Sequence, residues 1–126
     1  MSFDFYRVVH LLGIFMLFCA IGGLAAFAWL TRKNPQDPEN ATMRRRIVAL
    51  HGVAMLVILV AGFGLMGKSG LMKQSWPLWI YGKLGLWLVM GAAAQFVRRS
   101  GPLGRMWLVV LPFVGGLAAY LAVFKP

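Results

Sequence analysis

The chain is predicted to be an all-α integral membrane protein, an up-down four-helix bundle with both termini on the non-cytoplasmic side. Three observations carry that prediction. Four apolar runs are each long enough to cross a bilayer. The breaks between them are short and hold turn residues. Lysine and arginine collect on one side of the alternation. The 126 residues form one domain, and a hydrophobic content of 60% exceeds the roughly half that is ordinary in soluble proteins.

The elements follow in chain order. Residues 5–30 form the first run. The stretch before it, Met-Ser-Phe-Asp, has no basic segment, and the run is longer than a signal-peptide core, so it is predicted to be retained. Residues 31–42 hold Asn34-Pro35, Asp37-Pro38 and Asn40, which is turn chemistry. The second run covers 47–66, behind Arg44, Arg45 and Arg46. A break at 68–76 contains Ser69-Gly70 and Ser75, and Pro77 stands where a helix can begin. The third run covers 77–97. Ser100-Gly101-Pro102 separates it from the fourth, 106–124. Each run has about 20 residues or more, enough to span a ~30 Å hydrocarbon core as a helix. Short connections predict antiparallel neighbours. The sequence has no internal repeat and no low-complexity segment.

Charge then orients the bundle. The formal charge is +10, but the basic residues stand at the ends of apolar runs without interleaved aromatics, which argues against a nucleic-acid partner. Charge placed in this way anchors helices against anionic headgroups. Arg32, Lys33, Arg44, Arg45 and Arg46 flank the first break and Arg98, Arg99 and Arg105 the third, eight of the 13 basic residues. Arg7, Lys68, Lys73 and Lys125 lie on the other side, and Lys83 lies inside the third run. The positive-inside rule puts both arginine-rich loops in the cytoplasm of a bacterial-type inner (plasma) membrane. Trp76, Trp79 and Tyr81 then fall at the outer interface as an aromatic belt.

Polar groups within the bilayer are costly, so those present are candidates for function. They are His10, His51, Lys83 and Gln95, the last one turn from Arg98 and interfacial. The carboxylates Asp4, Asp37 and Glu39 all lie in polar segments. His10 is about 7 Å below the outer start of its run and Lys83 about 9 Å, at ~1.5 Å per residue. The two share a level in the outer leaflet. His51 enters from the other side, on the order of 15 Å away across the ~30 Å core. A histidine pair on one metal therefore needs two copies of the chain related by a two-fold axis.

Each of these residues has two readings. His10 is an axial haem ligand, with Gly13 at i+3 leaving space for a flat macrocycle, or a helix-end histidine bonded to a neighbour or to water. Lys83 is a haem ligand or the partner of an anion, or it snorkels its ammonium to the interface. His51 is a second, weaker metal candidate, or it meets headgroups or loop carbonyls. Cys19 is expected to be a small buried apolar residue and excludes an internal disulfide. The small residues Gly22, Ala26, Gly91, Ala61, Gly62, Gly64, Gly115 and Gly116 are read as helix-packing positions. The methionines form no clear copper-binding cluster, although Met55 stands at i+4 from His51.

Four stretches in this order resemble one known family. They are Val8-Val9-His10-Leu11-Leu12, Arg44-Arg45-Arg46-Ile47-Val48-Ala49-Leu50, Trp79-Ile80-Tyr81-Gly82-Lys83-Leu84 and Phe124-Lys125-Pro126. The chain resembles the HemJ-type bacterial protoporphyrinogen oxidases, small helical membrane proteins that carry haem b. The resemblance implies haem b as cofactor, His10 and Lys83 as the residues that hold it, and an oxidoreductase acting on protoporphyrinogen IX with the haem as electron relay. It departs from the family at Tyr81 and Ala94, where the family has histidines, and at Gly52-Val53, where it has Asn-Pro.

Two functions stay open on the residues. One is a haem b-binding membrane protein, an oxidase or a divergent redox relative. The other is a non-enzymatic membrane subunit or assembly factor of a larger complex. A transporter or copper-handling protein fits less well, because no carboxylate lies in the bilayer and no ligand cluster is present. The partners expected are the lipid bilayer, a porphyrin substrate, and a second copy or a larger membrane complex.

Overall fold

Inside lipid every backbone N–H and C=O must be satisfied within its own segment, which favours continuous helices. The computed structural model describes residues 2–99 and 103–124 and consists of α1 (Phe3–Leu30), α2 (Pro38–Ser69), α3 (Leu78–Arg99) and α4 (Gly104–Phe124), with a 3-10 turn at Leu71–Lys73. No strand occurs among the described residues. All four helices are long and apolar enough to cross a membrane. The chain is a multi-pass membrane protein. Ser100-Gly101-Pro102 and the closing Lys125-Pro126 lie outside the described residues.

Helices α1, α2 and α4 begin earlier than the apolar runs, and capping chemistry sets the starts of α1 and α2. Ser2 caps α1, its Oγ accepting from the N–H of Phe5 at 3.1 Å. The larger shift is in α2, which starts at Pro38 and not at 47. Asp37 is its N-cap and accepts from the Glu39 N–H at 3.0 Å, Pro38 has no N–H to lose, and Glu39 puts a carboxylate in the first turn. Residues read as turn chemistry thus nucleate a helix, and Arg44, Arg45 and Arg46 ride on it. The 32 residues of α2 extend about 48 Å at ~1.5 Å per residue, against a ~30 Å hydrocarbon core. At its far end Gly70 adopts φ 81°, a left-handed conformation that suits glycine, and returns its N–H to the Met66 carbonyl.

Neighbouring helices run antiparallel. Tyr6, His10 and Gly13 of α1 meet Gly64, Gly62 and Ile58 of α2 in descending order. Across α2 and α3, Met55 meets Trp87 and His51 meets Met90. Along α1 and α4, Ala25 meets Gly104, Gly22 meets Leu108 and Phe18 meets Gly115. Helix α1 touches all three others. Its buried stripe of Leu17, Ile21, Leu24 and Ala25 forms the core with Ala54 and Met55 of α2, Met90, Ala94 and Val97 of α3, and Leu111 of α4. Elsewhere the surface is apolar, with Phe15, Val60, Leu88 and Phe113 turned outward, as a bilayer requires. Helix α4 is the most lightly held, burying only Gly104 and Leu111.

Two expectations about α1 are corrected. Cys19 is exposed, because it falls outside the Leu17–Ala20–Ile21–Leu24 stripe. Gly13 is buried, and the space above it is taken by Ile58 and Val57 of α2, whose atoms would lie 2.9 and 3.0 Å from a Cβ there. Gly13 therefore admits a helix and leaves no slot for a macrocycle.

Candidate functional site

Hydrogen bonds from side chains tie the apolar helices together. His10 Nδ1 lies 3.0 Å from the Ile58 carbonyl, Trp87 Nε1 lies 3.0 Å from the Met55 carbonyl, and His51 Nε2 lies 3.0 Å from the Met90 carbonyl. Each acceptor is main chain and already belongs to a helix. A carbonyl oxygen has two lone pairs, so it takes the second donor without losing its helical bond.

A carbonyl can only accept, which assigns both histidine tautomers. His10 must carry its proton on Nδ1, so a neutral ring keeps its lone pair on Nε2. This matches the way metal-binding histidines are oriented, with one nitrogen anchored to a carbonyl and the other free to ligate. Gly62 makes the approach possible, since a Cβ at that position would stand 3.4 Å from His10 Cε1. His10 is half-buried. No signal in the sequence announced the Ile58 carbonyl, although a glycine four residues beyond it marks where a ring can press against the helix.

Lys83 lies at the same level. Trp87 and Met55 are opposite one another in α3 and α2. One turn toward the start of α3, the antiparallel register puts Lys83 at about the depth of residue 59 of α2, near the level of His10. The Lys83 ammonium is within electrostatic reach of His10 and sits 5.1 Å from the centroid of the Trp79 ring, a cation–π contact. The shared depth of His10 and Lys83 is thus a feature of the fold. Trp76 packs near Phe63 and Tyr81, with ring centroids 6.3 and 6.0 Å away, closing the same end of the bundle.

His51 lies elsewhere. It is seven residues from Ile58 on α2, about 10 Å along the axis at ~1.5 Å per residue. Only 6% of its surface is exposed, and its Nε2–H donates to Met90. The carbonyl it meets belongs to α3, where a loop or headgroup contact was expected. Met55, one turn away, turns its Cε toward Gly91. His51→Ala is expected to cost about 2 kcal/mol, from a modest interhelical hydrogen bond plus the cavity left behind. An unchanged unfolding midpoint in a detergent-denaturant titration would contradict this role.

The opposite end of the bundle is cationic. Arg32 stacks over Trp29 at 4.3 Å and Arg105 approaches the same ring at 5.9 Å, while Arg44 donates to the Pro35 carbonyl at 3.0 Å. Among the described residues, no three His, Cys, Asp or Glu side chains gather as a metal cage. The donor set in the apolar part is one oriented histidine with one lysine in electrostatic reach of it. Comparison with protein-family models, with curated proteins and with solved structures finds no match to this chain.

Proposed function

We propose that the chain is a haem b-binding membrane protein of redox function, a divergent relative of the HemJ-type protoporphyrinogen oxidases. In this reading both termini lie outside the cytoplasm of a bacterial inner membrane. The observation that carries the proposal is the His10 Nδ1–H bond to the Ile58 carbonyl. It leaves Nε2 as the one oriented imidazole lone pair at the level of Lys83.

In this reading His10 would hold the haem iron through Nε2, and the Ile58 carbonyl would hold the ring and raise its basicity. Lys83, kept near by Trp79, supplies a cation for a propionate or a second ligand. Haem b, when bound, would supply a one-electron carrier. His51 is given a structural role between α2 and α3, since its donor nitrogen is committed to Met90.

The test is an absorption spectrum of the full chain purified after expression with ample haem, oxidised and then reduced with dithionite. A Soret band is expected. His10→Gln, which keeps an N–H for the Ile58 carbonyl, is expected to fold and lose the band, whereas His51→Ala keeps it. A colourless wild-type protein ends the proposal.

A second reading, a non-enzymatic subunit of a larger membrane complex or a homodimer, rests on α4. Its outward face carries Val109, Phe113, Leu117 and Tyr120, all exposed. That reading expects no cofactor, tolerance of His10→Gln and co-purification of a partner.

A further inference from the structure

The extension of α2 beyond its apolar run brings three arginines around one cleft. Ala41, Arg44, Arg45 and Val48 are spaced i, i+3, i+4 and i+7, one face of a helix. Arg98 comes from the last turn of α3. The pairing of His51 with Met90 sets the antiparallel register that carries Arg98 to the level of Arg44. These five residues line a cleft of about 260 Å³.

The charge in this cleft has no counterpart. Among the described residues none of the three arginines has a carboxylate partner within ion-pair distance, and the cleft is lined by no acid. Asp37 is occupied as the cap of α2. Glu39 lines a separate depression of about 310 Å³, with Arg46, Pro38, Thr42 and Met43. Arg44 is steadied by its bond to the Pro35 carbonyl, and a guanidinium keeps further N–H donors after one such bond. Three guanidiniums lining one cleft that holds no acid favour a ligand that is anionic and rich in acceptors.

We propose that the cleft formed by Arg44, Arg45 and Arg98 binds the phosphate group of an anionic ligand. Guanidinium forks match phosphate oxygens in geometry as well as in charge. The cleft is smaller than the ~300–1,000 Å³ usual for small-molecule sites, which suits a headgroup-sized anion. Val48 lies one residue inside the apolar run that begins at 47 and packs against the core, so the inner edge of the cleft is apolar. A phosphate carried on a lipid and a phosphate free in solution share this chemistry.

The experiment uses the full chain in neutral detergent, with bound lipid read by native mass spectrometry. Phosphatidylglycerol is titrated against phosphatidylcholine, and inorganic phosphate is added as competitor. Wild-type protein is expected to retain phosphatidylglycerol in preference. Arg45→Gln with Arg98→Gln is expected to lower that retention by at least about tenfold, since two charge-assisted phosphate contacts are lost. Lys68→Gln with Lys73→Gln removes the same charge at the other end and is expected to leave retention unchanged. If inorganic phosphate displaces the lipid the site takes soluble phosphate as well, and if it does not the site is a headgroup site. Equal retention of the two lipids, or equal loss in both double variants, overturns the proposal.

Discussion

Gly104→Ala is expected to cost about 3 kcal/mol, at the upper part of the range for overpacking a well-filled contact. A Cβ at Gly104 would run into the carbonyl oxygen of Ala25, with the Trp29 nitrogen at 3.1 Å and Trp29 Cβ at 3.2 Å. Two of these three obstacles are main chain and cannot rotate away. Relief would require α4 to back off from α1, and α4 has little else to hold it, since Leu111 is its only other buried residue. Gly52→Ala and Gly116→Ala meet nothing within 4 Å and are expected to hold or gain stability, up to about 1 kcal/mol from helix propensity. Unfolding midpoints in mixed micelles compare the three. Equal midpoints for Gly104→Ala and Gly116→Ala would refute the close α1–α4 contact.

Gly64→Ala is expected to cost a similar amount, about 3 kcal/mol, but for a reason that can be undone. The new methyl would fall within the ring of Tyr6, meeting its Cγ, Cδ1 and Cε1. The obstacle here is a side chain. Tyr6→Ala should therefore remove most of the penalty of Gly64→Ala, giving a coupling energy of about 1–3 kcal/mol in a double-mutant cycle. Strict additivity of the two substitutions would show that the ring does not sit over Gly64. No second substitution is expected to rescue Gly104→Ala in this way. The two glycines thus separate side-chain from main-chain contact in one assay.

The membrane fold was legible because it depends on quantities that a sequence displays directly. Apolar length and the turn residues at 34–38 and 69–70 are visible without a structure, and all four spans are helices. The start of α2 was hidden. Asp37, Pro38 and Glu39 read equally as a turn and as a capped helix, and hydropathy registers only the part of a helix that meets lipid. Gly13 misled for a related reason. A glycine in an apolar helix announces closeness but not the identity of the neighbour, and here the neighbour is Ile58. Gly104 was overlooked altogether because it falls beside a break, where glycine ordinarily means a turn.

The candidate site was legible in depth and illegible in detail. Counting residues from the ends of the runs put His10 and Lys83 at one height, and the pairing of α2 with α3 reproduces that height. What counting cannot reach is the acceptor. The Ile58, Met55 and Met90 carbonyls belong to apolar residues that give no polar signal. The tautomers of His10 and His51 follow from those oxygens. Cys19 was misassigned because burial depends on the angular position of a residue about its helix, which an apolar run does not disclose.

The same acceptors shape how this protein can drift in sequence. Ile58, Met55 and Met90 each offer an oxygen that every amino acid possesses, so their side chains can change without cutting the bond that reaches them. The donors have no such freedom, because His10, His51 and Trp87 supply N–H groups that few residues can replace at the same reach. Mutational tolerance is therefore lopsided across each contact. For the bond itself one helix is tied to a particular residue, while the helix opposite is constrained only by its packing, Met55 and Met90 in the core and Ile58 over Gly13.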